Sequence, residues 1–392
     1  MCFPAMPRII YFDNAATTYP KPQSVLEATL HGTKEFSGNP GRGGHVVSRK
    51  ASEVLFNLRA DASGFFGCAK EENVIITHNT THGLNLALKS LLRYKDRVLC
   101  SNLEHNAVRR VLLSIKDKKS IDIFTFDALL PDFDLLESLQ SIILKNKIDL
   151  LVLPHASNVC SRILPLESIG NICRQNDVLL VVDGAQSAGH VPIKFDLFGI
   201  DALCISGHKG LYSPPGIGLL IVSDRFKERA KGAEVLITGG AGIDSTEEDM
   251  PSVFPERFEA GTISAPLCYS LSAGIRFVKS IGIEKIAKAE HCLGNYARKI
   301  LLGHPNVVLY APNYTGGIVS FNLEGLAPER VAEYFDTRGI CMRAGLHCAP
   351  SAHESLGSLS TFGGSVRLSF GVFNTTNELD VFRKILEDIP LK

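Results

Sequence analysis

A lysine and an aspartate, each closing an apolar run, are the residues of this sequence best suited to chemistry. Val178–Val182 is a run of five apolar residues that ends in Asp183 and Gly184, with Gln186 just beyond the turn. Ile200–Ile205 ends in the same way and delivers Ser206, Gly207, His208 and Lys209. Such runs predict buried strands of an α/β sheet, and residues that follow them collect at the C-terminal edge of that sheet. A carboxylate, an amide, an imidazole and an amine would then line one crevice. A lysine facing an aspartate there is the pair that pyridoxal 5′-phosphate (PLP) needs. The amine forms a Schiff base, and the carboxylate keeps the pyridinium nitrogen protonated so that the ring can accept electrons.

The elements that must position these groups follow from the rest of the pattern. Asn73–Thr77 reads as a strand. After it come His78, Asn79, Thr80, Thr81 and His82, then leucines 84, 88, 91 and 92 at helical spacing. A strand, a turn with hydroxyls and a helix form an anion pocket, because the free N–H groups and the helix dipole face outward there. Taken alone, a Thr-Thr pair is a helix cap more often than a phosphate site. Arg97–Ser101 and Asp149–Pro154 repeat the strand pattern and end in Asn102–Asn106 and His155–Asn158, and Ile217–Val222 adds another strand. Strands alternating with helices, with polar residues after the strand ends, predict a mainly parallel sheet covered on both faces. The glycine-rich stretch Ser37–His45 reads as a surface loop, Gly239–Met250 as a mobile acidic one, and about Ala265–Ser280 as a helix linking to a second, α+β part. There, Arg343–Pro350 is followed by a loop to Gly364, a strand at Ser365–Phe370 and a capping box at Thr375–Glu378.

Composition narrows the function further. The chain has 392 residues, 45% hydrophobic and 21% charged, with 41 Lys+Arg against 41 Asp+Glu. That length allows one large and one smaller domain, and the charge balance argues against nucleic acid or an anionic membrane as partner. No apolar run approaches the roughly 18 residues of a membrane span, and the N-terminal residues lack a secretory pattern. Ten scattered cysteines without a C-x-x-C fit free, mostly buried thiols in a reducing cytoplasm.

DGAQ at 183–186, SGHK at 206–209, FEAGT at 258–262 and RAGLHCA at 343–349 resemble, in order and spacing, the cysteine desulfurases. These are the NifS/SufS-type members of the class V aminotransferase family, on PLP fold type I. The resemblance runs from Asp13-Asn14-Ala15-Ala16 to Arg367. It implies a large PLP-binding domain at 16–262, with a mainly parallel seven-stranded sheet covered by helices. It also implies an N-terminal segment, 1–15, packed with a smaller α+β C-terminal domain, and a linking helix and cysteine loop within 263–392.

The same resemblance implies roles for individual residues. Lys209 would carry the cofactor and move the Cα proton, Asp183 would meet the pyridinium, and Gln186 and Asn158 would donate to the ring's phenolic oxygen. His105 would stack on the ring and relay protons, although a lone histidine at a strand end is otherwise a structural residue. Thr81, Ser206 and His208, with Thr80 as a weaker member, would cradle the phosphate. Thr262 would reach the phosphate of a partner subunit, which implies a homodimer, and the Arg42–Ser48 loop would cross near the partner's site. Arg367 would clamp the amino acid carboxylate with its two-pronged guanidinium. Arg343, Asn158, Ala15 and His45 would also lie at the substrate.

Cys348 would attack the sulfur of L-cysteine, leaving L-alanine and a persulfide for a protein acceptor: an iron–sulfur scaffold, a tRNA-modifying enzyme or another carrier. The nucleophile must be a thiolate, and Arg343 and His347 are the nearby sources of positive charge. The short stretch between Cys348 and Arg367 resembles the SufS-like branch. The sequence departs from the family at His82, where many members have Glu, and at Asn79, where Gly is common.

Other readings fit less of the chain. His347, Cys348 and His353 fall short of the four ligands of a tetrahedral metal site, so no metal is expected. The glycine-rich loop at 38–44 lacks the dinucleotide-binding spacing. Selenocysteine lyase activity, transamination or another β-elimination would use Lys209 and Asp183 equally, but persulfide chemistry alone requires Cys348. A non-catalytic scaffold would have no use for Lys209, Asp183, His105, Cys348 and Arg367 together.

Overall fold

The structure is a computed structural model and describes residues 9–41, 43–243 and 246–390. The expectations for the first eight residues, for Arg42, and for two residues of the 239–250 segment lie outside the described residues. The chain divides into two compact units. One comprises Lys21–His155 and Leu164–Ile283. The other comprises the N-terminal stretch to Pro20, Ala156–Ile163 and the chain from Glu284 onward.

The larger unit is built on a seven-stranded sheet. Its spatial order is Val74–Thr77, Gly218–Val222, Ala202–Ser206, Leu179–Asp183, Leu150–Pro154, Arg97–Ser101 and Asp122–Phe126. Gly218–Val222 runs antiparallel to both neighbours, and the other strands run one way. Every residue of the four strands from Leu150 to Val222 is buried, as continuous aliphatic runs require when helices cover both faces. Asp122–Phe126 forms the edge and is mostly solvent-facing, so it lacks the apolar run that marks the others. Helix Ala265–Ile281, the segment expected to link the domains, packs within this unit on helices Gln23–Glu35 and Val46–Phe66.

The smaller unit has an antiparallel sheet in the order Arg343–Gly345, Ser365–Ser369, Ile318–Leu323 and Val307–Leu309. Ile10–Tyr11 pairs in parallel with Ile340–Cys341. Phe12, Phe321, Phe335, Phe370 and Phe382 join the aliphatic residues of its core, and Phe335 and Phe382 stack at 4.9 Å. The stretch after Cys348, expected as loop, instead folds into helices Pro350–Ser355 and Ser358–Phe362. Its small and polar residues carry no apolar stripe, and the ends are set by left-handed glycines: Gly357 (φ 75°) and Gly363 (φ 72°). The capping box at Thr375 and Glu378 opens the last helix, Thr376–Glu387.

Among the described residues no helix is long and apolar enough to cross a membrane, and no cluster of His, Cys, Asp and Glu is arranged to hold a metal ion. The described cysteines are free thiols; Cys292 and Cys348 are exposed, Cys341 is half-buried and the rest are buried.

Candidate active site

In the larger unit, the common strand direction brings Thr80, His105, Asp183, Gln186, Ser206, His208 and Lys209 to the C-terminal edge of the sheet. Asp183 is the last residue of its strand and is only 5% exposed. One of its oxygens accepts from the Ala185 N–H at 2.9 Å, and no described residue forms an ion pair with it. A buried carboxylate without a cation is costly, and a protonated ring nitrogen would supply the missing charge.

The anion pocket is assembled across the antiparallel strand. Thr80 opens helix Thr80–Leu91, and its hydroxyl donates to Ser206 Oγ at 2.8 Å. Its backbone N–H also points to Ser206 Oγ, at 3.3 Å. Gly218 makes this approach possible, because a Cβ there would lie 2.4 Å from the Ile205 carbonyl and 2.8 Å from Asn79 Cα. Asn79 caps the helix by accepting from the His82 N–H at 2.9 Å, which leaves the Thr81 N–H of the first turn for an anion. Thr81 is exposed on that first turn. The donor set fits a phosphate.

His105 caps helix Asn106–Lys119 with its Nδ1, which accepts from the Ala107 N–H at 3.0 Å. The neutral ring therefore carries its proton on Nε2. His208 is held neutral, with its pKa pushed down to about 4 by burial and by the positive charges of Lys209 and Lys21. Its part in a phosphate cradle is therefore that of a neutral donor. Thr262 lies in the exposed segment before helix Ala265–Ile281, and exposed His45 caps helix Val46–Phe66 through Nδ1 and the Ser48 N–H, 3.3 Å apart.

Two further polar groups of this unit emerge only in the fold. Glu104 is fully buried beside His105. Its Oε1 accepts from the Ser101 N–H and hydroxyl at 3.0 and 2.7 Å, while Oε2 has no partner. Burial pushes its pKa up to about 8, and the Asp183 carboxylate acts in the same direction. Lys21 Nζ donates to the His208 carbonyl at 2.9 Å. A charged residue directly after a buried strand, and a lysine set between Pro20 and Pro22, were the available signals for Glu104 and Lys21.

The smaller unit gathers Asp13, Asn158, Arg343, His347, Cys348 and Arg367. Arg367 is 1% exposed; its Nη2 lies 2.7 Å from Asp13 Oδ1, its Nη1 donates to the Asn158 carbonyl at 3.0 Å, and its Nε is unpartnered. An orphaned guanidinium N–H in so buried a place is suited to a carboxylate. Ala15, also buried, donates its N–H to Ser369 Oγ at 2.9 Å. The Asn158 amide, expected at the cofactor ring, donates to the His347 carbonyl at 2.7 Å.

Cys348 is exposed, and Arg343 Nη2 lies 3.9 Å from its sulfur. Both His347 (φ 48°) and Cys348 (φ 58°) are left-handed, a conformation that costs about 1–2 kcal/mol per non-glycine residue. The Asn158 bond, the Ala349 N–H to Leu346 carbonyl bond at 2.8 Å and the His347 ring on the Ser365 carbonyl at 3.1 Å hold that turn. His347 does not contribute charge, contrary to the expectation from its spacing. Burial, then Arg367, His353 and Arg343, push its pKa down to about 2, so Arg343 is the cation at the thiol.

The seven-stranded sheet with its single reversed strand, together with the α+β unit, makes this a PLP fold type I protein. The class-V aminotransferase family model matches residues 10–382, and the chain belongs to that family. Its cofactor is PLP, for which the Asp183 carboxylate and the donors around Thr80 and Ser206 are fitted. The chain is 31% identical to a protein from Pyrococcus abyssi described as a probable cysteine desulfurase, over 98% of this chain and 95% of the other. A protein of Methanothermobacter thermautotrophicus with the same description is 30% identical, over 97% and 94%. The solved apo structure of a cysteine desulfurase from Thermococcus onnurineus superposes with a TM-score of 0.86 at 31% identity, covering 97% of this chain and 94% of that one.

Proposed function

We propose that the protein is a PLP-dependent cysteine desulfurase, converting L-cysteine to L-alanine and holding the sulfur as a persulfide on Cys348. The observation that carries this reading is the exposed Cys348 thiol with the Arg343 guanidinium 3.9 Å away, on a turn held in a left-handed conformation. A scaffold or a transaminase has no need of such a cysteine.

When bound, PLP supplies an electron sink that weakens the carbon–sulfur bond of the amino acid joined to it. The remaining work falls to side chains. Lys209 would hold the cofactor, and its amine would move the Cα proton of the substrate. Asp183 would pair with the protonated ring nitrogen, Gln186 and Asn158, whose amide also holds the His347 carbonyl, would serve the ring's oxygen, and His105 would cover the ring with its proton on Nε2. Thr80, Thr81, Ser206 and His208 would hold the phosphate.

Arg367 binds the substrate carboxylate, with Ala15, His45 and Arg343 lining the substrate. Arg343 also favours the anion of Cys348. That thiolate attacks the substrate sulfur, so an S–S bond forms as the C–S bond breaks. The bonding pair stays on carbon, which takes a proton, and alanine leaves. A protein acceptor's thiol then takes the outer sulfur from the persulfide.

The reading includes a homodimer in which Thr262 reaches the partner's phosphate, and a place in the cytoplasm supplying iron–sulfur cluster assembly or another sulfur acceptor. The test is Cys348→Ala. This variant is expected to keep the absorbance of bound cofactor and lose sulfur release from L-cysteine, and mass spectrometry of the unaltered enzyme should find the added sulfur on the Cys348 peptide. Undiminished sulfur release by the variant would remove Cys348 from the mechanism.

A further inference from the structure

The turn that carries Lys209 is fastened at three consecutive carbonyls. The Gly207 carbonyl accepts from the Ser213 N–H at 2.9 Å, and the Lys209 carbonyl accepts from the Tyr212 N–H at 2.8 Å. The turn is also tied to the sheet by the Gly207 N–H on the Ile217 carbonyl at 3.0 Å. The carbonyl in the middle, that of His208, accepts instead from a side chain far away in sequence: Lys21 Nζ, at 2.9 Å.

We propose that Lys21 is a positioning residue for Lys209, whose ammonium clamps the His208 carbonyl and so fixes the turn from which the Lys209 side chain leaves. The inference rests on the reading of Lys209 as the residue that binds PLP covalently. A charged donor makes a stronger bond to a carbonyl than a neutral one, so an ammonium holds this turn more firmly than an amide would. Lys21 also adds its charge to a crowded basic corner, where it and Lys209 both act to keep His208 neutral. Burial pushes the pKa of Lys21 itself down to about 8. A lysine kept half-buried at this desolvation cost, with its tip on the backbone beside Lys209, is more than a solvated side chain whose stem covers apolar surface.

The experiment compares Lys21→Met, Lys21→Gln and Lys21→Arg in the holoenzyme, with Lys209→Ala as reference. Three readouts are used: the peptide to which borohydride fixes the cofactor, the dissociation constant of PLP, and the pH midpoint of the cofactor's absorbance change. In the unaltered enzyme, borohydride should fix PLP to the Lys209 peptide. Lys21→Met should weaken PLP binding about tenfold or more, since a half-buried carbonyl loses a charged donor. The same variant should raise the spectral midpoint by about half a pH unit or more, since a nearby positive charge is gone. Lys21→Gln should recover part of the affinity without the midpoint, and Lys21→Arg should recover both.

If Lys21→Met matches the unaltered enzyme in affinity and midpoint while borohydride still labels Lys209, the role of Lys21 is refuted and the reading of Lys209 stands. If borohydride labels another residue, or Lys209→Ala still retains covalently fixed PLP, the reading of Lys209 fails and this inference fails with it.

Discussion

Arg343 and Arg367 stand directly opposite each other on neighbouring antiparallel strands. Two like charges in register destabilise a sheet unless each has an outlet. Here they have different ones. Arg367 meets Asp13 at 2.7 Å, and Arg343 reaches Cys348 at 3.9 Å. Burial chiefly, and Arg343 to a smaller degree, lower the pKa of Arg367, so this face keeps a strong demand for anions. A substrate carboxylate and a thiolate are both anions of the kind such a face attracts.

Asp13→Asn therefore leaves Arg367 buried with neutral acceptors only and an arginine across the strand. The variant is expected to lose about 2–3 kcal/mol of stability in urea denaturation, below the full cost of breaking a buried pair because Asp13 is partly exposed. Adding Arg343→Gln should restore about 0.5–1 kcal/mol by removing the repulsion, giving a measurable coupling in a double-mutant cycle. Strict additivity of the two changes would show that the arginines do not interact.

Arg343 should matter to chemistry more than to folding, because it is only half-buried and its partner is an exposed sulfur. Arg343→Gln is expected to slow alkylation of Cys348 by iodoacetamide at pH 7 and to lower sulfur release about tenfold or more, consistent with the weight of a charged neighbour on a thiolate. Stability should change by less than about 1 kcal/mol, as for other partly exposed charges. Unchanged alkylation would assign Cys348 a different source of charge.

The buried histidines make a further pH signature. Burial lowers the pKa of His347 to about 2, and of His353 and His208 to about 4. In the unfolded chain each would titrate near 6.5, so below that pH the unfolded state binds protons that the folded state refuses. Their contribution to stability is complete above about pH 6.5 and declines as the pH falls through that value. In NMR, the ring C2–H resonance of His347 should stay in its neutral position at pH 5. A shift with a midpoint near 6.5 would return His347 to the role of cation at Cys348.

Much of this arrangement was legible in the sequence because it depends on local pattern. Continuous aliphatic runs such as Val178–Val182 mark buried parallel strands, and the polar residues after them mark the sheet edge that holds Lys209 and Asp183. Asp122–Phe126 escaped because an edge strand with solvent-facing residues has no such run. The short excursion Ala156–Ile163 belongs to the smaller unit through hydrogen bonds of Ser161 with Ile318 (2.7 Å) and Ser320 with Val159 (2.6 Å), and no periodicity announces pairings so distant in sequence. The same limit applies to the site. The residue types at 343–348 speak of a thiol among cations, but whether His347 is charged depends on its burial against the Ser365 strand, which only the fold decides. Likewise, no local pattern in the sequence announces the ion pair of Asp13 with Arg367, 2.7 Å apart in space and 354 residues apart along the chain.

Glu104 offers the cleanest test of how the buried edge of the sheet responds to pH. Its pKa rises from 4.5 unfolded to about 8 folded, mainly through burial, so between those values the folded state holds a proton that the unfolded state has released. Stability from this group is greatest below about pH 4.5 and is lost as the pH rises toward 8, with a slope of at most about 1.4 kcal/mol per pH unit. Glu104→Gln keeps an oxygen for the Ser101 donors and cannot ionise. Relative to this variant, the unaltered protein should become progressively less stable from pH 5 to pH 8 in urea denaturation, and the difference should level off above that. Parallel stability curves over the whole range would mean that Glu104 is ionised when folded, and that a cation beyond its Ser101 contacts compensates it.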